Sequence, residues 1–321
     1  VAEDASAGAA VMTVSITDST PTAILISAGN GDGIFAIATS GAVTIADATN
    51  LDYETTSSYT LTIVAYDSSS SDVEDITISI TDVNDAPSAG ADQTGAVIED
   101  ASTTTATGTV AATDADSDTL SYAIGTAAGT YGSLAMSGAA WTYTLDNADA
   151  DTTALDAGDA PTEVFTITVT DSSSTETDTM TVTITVTGAN DAPSAGSDGT
   201  GAVTEDASTS TATGSITATD DDDAAAFTYS GDATGTYGAI AVDSAGAWTY
   251  TLSNSDADTT ALDAGDSVSD TFTLTVSDGT ASDSMDVVIT VTGADDDVSA
   301  GADQTGAVTE DATATTATGT V

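Results

Sequence analysis

The sequence predicts an all-β chain, built as tandem Greek-key β-sandwiches arranged in an elongated rod. Three observations lead there. Apolar residues alternate with Thr or Ser at a period of two in segment after segment, as in strands with one buried and one wet face. Whole stretches of text recur about once per hundred residues. Thr, Val, Ile and Ser are abundant and are punctuated by Gly and Asp, a mix that favours short strands and turns over helices.

The repeats set the domain plan. AGADQTGAVIEDASTTTATGTVAATD from Ala89 returns as AGSDGTGAVTEDASTSTATGSITATD from Ala195 and as AGADQTGAVTEDATATTATGTV from Ala300, at offsets of 106 and 105 residues. Trp141-Thr-Tyr-Thr-Leu145 returns as Trp248-Thr-Tyr-Thr-Leu252, and Leu155-Asp-Ala-Gly-Asp159 as Leu262-Asp-Ala-Gly-Asp266. Units of this length are whole domains, too long for solenoid repeats. The expected domains are 1–87, 88–193 and 194–298, with the start of a fourth repeat at 299–321. Asn84-Asp-Ala-Pro87 and Asn190-Asp-Ala-Pro193 join them, and short joints carrying Pro read as stiff connections. The chain opens without Met and closes inside a repeat, so it is expected to be a segment of a longer polypeptide.

Within units the strands are legible. Tyr59–Asp67 and Asp75–Thr81 alternate in the first unit, Phe165–Thr170 and Met180–Val186 in the second, Phe272–Val276 and Val287–Val291 in the third. Ser40-Gly41 sits between Phe35–Ile37 and Val43–Ile45, and Ser137-Gly138 between Leu134–Met136 and Trp141–Leu145, each a hairpin signal. About seven strands per unit imply a two-sheet, Ig-like sandwich. Trp141 and Trp248 alternate with Tyr143 and Tyr250, which places them in cores and not on a sugar platform. Gly29-Asn-Gly-Asp-Gly33 reads as a loop.

Composition narrows the chemistry. None of the 321 residues is Lys, Arg or His, and 52 are Asp or Glu, for a formal charge of −52. Phosphate recognition, and with it nucleic-acid binding, requires Lys and Arg. Imidazole acid–base catalysis and Ser-His-Asp relays require His. With no Cys, disulfides, thiolate metal sites and cysteine nucleophiles are excluded. Oxygen chemistry remains, and hard oxygen ligands select Ca²⁺ or Mg²⁺. Hydrophobic residues make up 40% of the chain, enough for cores, unlike an acidic disordered tail. No run is long and apolar enough to span a bilayer. Carboxylate pairs arise by chance among so many acids, and no pocket signature accompanies them, so an enzyme is not expected. Asp114-Ala-Asp-Ser-Asp118 opens like an EF-hand loop but lacks its Gly and its final Glu. No Asn-x-Ser/Thr sequon occurs, and O-glycosylation stays open.

The first unit resembles a cadherin domain. Glu3, Leu51-Asp-Tyr-Glu54, Ala65-Tyr-Asp67 and Asp82-Val-Asn-Asp85 follow that family's calcium-ligand motifs in order, and Asp114-Ala-Asp116 matches the Asp pair that reaches back across a cadherin junction. The second and third units, and the start of the fourth, resemble the VCBS repeats of large bacterial surface proteins. The matching text is Gly-Ala-Val-x-Glu-Asp, Trp-x-Tyr-x-Leu and Leu-Asp-Ala-Gly-Asp. The resemblance implies calcium held at the first junction by Glu3, Asp52, Glu54, Asp67, Asp82, Asn84, Asp85, Asp114, Asp116 and Asp171. It implies a second junction of Glu99, Asp156 or Asp159, Asn190, Asp191, Asp220, Asp222 and Asp278. That junction departs from the cadherin pattern, since Gly188-Ala-Asn-Asp191 lacks the first Asp. The third, Gly293-Ala-Asp-Asp-Asp297, lacks both Asn and Pro. Physics points the same way, because loops cluster at the ends of a sandwich and crowded carboxylates repel without a cation.

The leading expectation is a calcium-rigidified extracellular stalk or fibre segment of a secreted, repetitive surface or matrix protein, serving adhesion or biofilm. Its partners are calcium, neighbouring repeats and copies of itself. The alternative is an adhesive module that recognises a glycan or another cell surface. A third reading, acids serving hydration in high salt, is disfavoured by their clustering at unit ends. Gly306–Val321 supplies a strand with no domain to join, so strand addition to a neighbour is also open.

Overall fold

A computed structural model describes residues 1–17, 21–222, 226–296, 305–307, 310 and 316–319. The start of the fourth repeat lies largely outside the described residues, as does Asp297. Two compact units emerge. One is Val1–Val97 with Ala101–Asp146 and Pro161–Val186; the other is Ile98–Asp100 with Asn147–Ala160 and Thr187–Val321.

The first sandwich has β1 (Ala10–Thr13), β2 (Ala23–Ala28), β3 (Phe35–Ile37), β4 (Ala42–Ile45), β5 (Ser58–Tyr66) and β6 (Ser71–Ser79). Its sheets run β1-β4-β3 and β2-β5-β6. The expected hairpin forms, with Phe35 opposite Ile45 and Ile37 opposite Val43, and Gly41 takes the positive φ (83°) that its tight turn requires. Between the sheets lie Ile24, Ile34, Phe35, Val43, Ile45, Leu61, Ile63 and Ile78. These are the apolar members of the alternating pattern.

The second sandwich has β7 (Gln93–Ile98), β8 (Thr105–Thr109), β9 (Leu120–Ile124), β10 (Gly132–Ser137), β11 (Ala140–Leu145), a single helical turn α1 (Ala150–Thr153), β12 (Thr162–Asp171) and β13 (Thr177–Thr187). Its sheets run β7-β13-β12-β9 and β10-β11-β8. The third has β14 (Gly199–Thr204), β15 (Thr211–Ser215), β16 (Thr228–Ser230), β17 (Ala233–Thr234), β18 (Gly238–Val242), β19 (Ala247–Leu252), β20 (Ser267–Ser277) and β21 (Ser282–Thr292). Its sheets run β14-β21-β20-β16 and β15-β19-β18-β17. The first strand of this unit lies parallel to the last, Gly199 opposite Val287 through Thr204 opposite Thr292. The others pair antiparallel, which is a Greek-key arrangement and not a simple meander.

Among the described residues the helical turn is the one departure from an all-strand reading. Asp149 caps it by accepting from Asp151 N–H, the local role a short acidic side chain takes at a helix start.

Both tryptophans are core residues, 1% and 3% exposed. Each lies against a glycine. A Cβ on Gly108 would stand 2.5 Å from the Trp141 ring, and one on Gly214 would stand 2.3 Å from the Trp248 ring. In each sandwich the strand beside the tryptophan must therefore be bare at that point. The Trp141 Nε1–H is satisfied by Gln93 Oε1 at 2.8 Å. Below each aromatic pair sits a buried acid. Tyr143 donates to Glu163 at 2.6 Å, and Tyr250 donates to Asp270 at 2.9 Å. Backbone N–H of Tyr131 completes the first pair, and those of Thr236 and Tyr237 complete the second. Burial and the adjacent carboxylate push both phenols well above their usual range.

Candidate metal centre

The first acidic cluster is assembled by backbone pairing. A parallel bridge of Ala2 with Thr81 and a bond from Glu3 N–H to Thr81 C=O (3.2 Å) set the N-terminal segment beside the exit of β6. Glu3 then accepts two N–H groups from different parts of the chain, Tyr53 at 2.5 Å and Val83 at 2.8 Å. It thereby ties the Leu51–Glu54 turn to the linker after β6. Asp52 caps its own turn, taking the Thr55 hydroxyl at 2.6 Å and the N–H groups of Glu54 and Thr55. Carboxylate oxygens of Glu3, Asp52 and Glu54 all lie within 4.8 Å of one another.

Residues beyond the linker close on the same place. Glu54, Asp82 and Asp116 form a second group within 4.8 Å, and Asp114, Asp116 and Asp118 a third. The chain turns between them, with Ser117 N–H on Asp114 C=O at 3.3 Å and Ser117 at a φ of 64°. Asp85 N–H donates to Asp116 at 2.7 Å, and Asp118 N–H donates to Asp114. Asp171 ends β12 only 1% exposed and accepts Ser173 N–H at 2.9 Å. The Ser173 hydroxyl reaches Asn84 and Asp118, and the Asn84 amide donates to Glu176 at 3.1 Å.

Electrostatics divides these acids into two kinds. Asp52 and Asp171 are held below the ordinary carboxylate range, Asp52 chiefly by the Thr55 hydroxyl and Asp171 chiefly by Ser173 N–H. Glu54, Asp82 and Asp85 are pushed up, first by desolvation and then by the carboxylates around them. For Asp82 the neighbour that matters most is Asp116. For the second kind the balance is upward even where a donor is present, as with the Glu54 N–H at its own carboxylate, and the chain has no cationic side chain to relieve it.

The second cluster lies wholly within the second compact unit and repeats this plan. Glu99 N–H bonds to Thr187 C=O at 2.9 Å, and Ala189 N–H donates to Glu99 Oε2 at 3.0 Å. Asp191 N–H donates to Asp222 at 3.1 Å, and Asn190 donates to Asp278 at 3.0 Å. Oxygens of Asp220, Asp222 and Asp278 fall within 4.8 Å of one another. Asp278 is held low, chiefly by Asn190. Glu99, Asp191 and Asp222 are pushed up, first by burial and then by other acids. Asp191 leads for Glu99, Asp100 for Asp191, and Asp220 followed by Asp156 for Asp222.

Two expected residues stand apart. Asp67 is at the β5–β6 turn, where it accepts the N–H groups of Ser69 and Ser70. That is the opposite end of the hairpin from the Ser58–Ser79 pair that leads to the linker. Of Asp156 and Asp159, Asp156 approaches Asp222 closely enough to raise it. Asp159 is exposed and enters only through its backbone, accepting Gly188 N–H.

Three residues were not among the expected ligands. Asp118 joins Asp114 and Asp116, and Glu176 holds Asn84. Glu205 sits 2% exposed beneath the third sandwich and accepts Ala294 N–H at 3.3 Å, as Glu99 accepts from Ala189. A signal for Glu205 existed in the recurrence Val1-x-Glu-Asp4, Val97-x-Glu-Asp100, Val203-x-Glu-Asp206.

The donor set suits a hard divalent cation. Glu99 Oε1, Asp114 Oδ2, Asp220 Oδ2, Asp222 Oδ1 and Glu205 Oε1 are buried oxygens with no hydrogen-bond partner. Unpartnered buried carboxylate oxygens are costly, about 1–3 kcal/mol or more each, and calcium takes six to eight such oxygens. When bound there, calcium supplies the positive charge that the chain's own side chains lack. Among the described residues no helix is long and apolar enough to cross a membrane.

Two family models match the chain. The cadherin domain model matches residues 1–81. The bacterial cadherin-like domain model matches residues 84–188 and again 190–293. Among curated proteins none matches. Among solved structures the chain is similar to the extracellular cadherin domains 1–5 of protocadherin gamma B2, at 20% identity and a TM-score of 0.57, covering 92% of this chain and 58% of that one. It is similar to domains EC1–3 of mouse protocadherin-24, at 18% identity and a TM-score of 0.51, covering 90% of this chain and 95% of that one. At such identities the likeness establishes the fold alone. The two family models together account for most of the chain, and it belongs to the cadherin-like domains, its second and third sandwiches to the bacterial cadherin-like family.

Proposed function

We propose that this chain is a segment of a secreted, extracellular adhesion or matrix protein, a stalk or fibre element whose sandwiches are locked in sequence by calcium. On this reading its domains are 1–87, 88–193 and 194–298, with the start of a further repeat at 299–321, and the second and third are of VCBS type, as in a biofilm matrix. The observation that supports it is the set of buried, unpartnered carboxylate oxygens at Glu99, Asp114, Asp220 and Asp222, in a chain with no cationic side chain. Glu3, Asp52, Glu54, Asp82, Asp85, Asp114, Asp116, Asp118 and Asp171 would hold calcium at the first linker. Glu99, Asp156, Asp191, Asp220, Asp222 and Asp278 would hold it at the second, with Asn84 and Asn190 ordering the linkers. Extracellular calcium modules bind at roughly 10⁻⁴ to 10⁻³ M, so occupancy would follow the medium.

Thermal unfolding and small-angle scattering in calcium and in chelator test this. Calcium is expected to raise the melting temperature and lengthen the particle, and sodium chloride at matched ionic strength is expected to do neither. Equal rescue by sodium would mean that the acids serve solvation, and the calcium reading would fall.

A further inference from the structure

The first sandwich carries an apolar row on its outer face that its two siblings lack. Across β2, β5 and β6 the pairing sets Leu25 beside Val64 and Val64 beside Val73. Leu25 is 53% exposed and Val73 55%, while Val64 between them is 9% exposed. Tyr66, two residues along the same face, is 41% exposed. Counting back from Asp67, Asp171 and Asp278, the same positions in the second sandwich are Ala123, Thr168 and Thr179. In the third they are Ser230, Thr275 and Ser284. Where Tyr66 stands, the siblings have Thr170 and Ser277. One fold thus presents small or hydroxyl side chains at these positions twice, and aliphatic and aromatic ones once. A contiguous exposed apolar patch on a monomer marks an interaction surface.

Charge identifies the partner. Carboxylates border the patch at two places. Asp75 lies on the same face, two residues from Val73, and accepts the Thr62 hydroxyl at 2.7 Å. Asp67 stands at the turn after β5, whereas Asp72 and Glu74, paired opposite Ala65 and Ile63, project from the other face. A second copy would bring only more carboxylates, since this chain has no cation, and an anionic lipid surface would be repelled in the same way. A neutral glycan has no use for the acidic rim. We propose that this face of the first sandwich docks a basic amphipathic peptide segment of another protein, its aliphatic side chains on Leu25, Val64 and Val73 and its Lys or Arg groups on Asp75 and Asp67.

The test titrates the 321-residue chain, saturated with calcium, against a fluorescent Lys-Leu-Lys-Val-Lys-Leu-Lys amide and two controls. One control replaces Lys by Glu and the other replaces Leu and Val by Ser. The protein variant is Leu25→Ser with Val73→Thr, side chains of the kind that the sibling strands carry in this row; an unchanged melting temperature confirms its fold. The expected result is saturable binding of the first peptide only, weakened at least tenfold in the variant and several-fold in Asp75→Asn. Equal binding of the Ser control, or equal binding to wild type and variant, would show attraction to net charge alone and overturn the proposal. So would calcium-dependent self-association, or capture of a neutral polysaccharide, lost in the same variant without peptide binding.

Discussion

Glu99→Gln separates a structural acid from a metal ligand by the sign of its effect. Glu99 is 2% exposed. One oxygen takes Ala189 N–H at 3.0 Å, and the other has no partner. Burial raises its carboxyl, and Asp191, Asp100 and Asp222 raise it further. In chelator, glutamine keeps the Ala189 bond, matches the volume and puts an amide donor where an unpartnered, like-charged oxygen stood. Relief of one such acceptor is about 1–3 kcal/mol, and about 1 kcal/mol moves the melting temperature of a domain this size by about 4–8 °C. The variant should therefore melt higher than wild type without calcium. At free calcium about 100 times Kd, a filled site stabilises by about 2.7 kcal/mol. Loss of a carboxylate ligand removes much of that, and the order should reverse. Calorimetry of both proteins in chelator and in calcium reads the crossover. A shift of the same sign in both media would refute the reasoning.

Three further outcomes follow from the packing. Tyr143→Phe leaves Glu163 with the Tyr131 N–H, whereas Tyr250→Phe leaves Asp270 with two N–H groups; the first should lose about 2–3 kcal/mol in denaturant titration and the second less. Gly214→Ala forces a methyl to within 2.3 Å of the Trp248 ring and should cost about 1–3 kcal/mol, with a shift in Trp248 emission reporting the displaced ring. Asp178 and Asp283 are held low, chiefly by the N–H groups of Ala89 and Ala195. Their contribution is present above the unfolded carboxyl value of about 3.9 and is lost as pH falls through their lower folded values. Asp178→Asn and Asp283→Asn should flatten the acid limb of stability below about pH 4, and an unaltered limb would sink that assignment.

The sequence by itself determined the fold class, the repeat plan and the chemistry that was impossible. Those depend on local rules: period-two alternation names a strand, a Ser-Gly between two such runs names a hairpin, and a missing residue type removes its chemistry outright. It also named most of the acids that now stand together, because short motifs bring their own spacing. What it could not decide was which acids converge. Asp67 and Asp171 end equivalent strands in equivalent text, yet only Asp171 meets the linker acids, because each strand end faces a different neighbour. Asp156 and Asp159 differ by three positions, and only the course of the loop selects Asp156. Glu163 and Asp270 carry no local signal that strand pairing turns them inward beneath Tyr143 and Tyr250. The outer-face row of Leu25, Val64 and Val73 is legible only once the register is known, since residues 39 and 9 positions apart become neighbours through backbone hydrogen bonds alone. Local pattern fixes which face of each strand is apolar, but which strands lie side by side, and what covers their faces, is settled only when the whole chain packs.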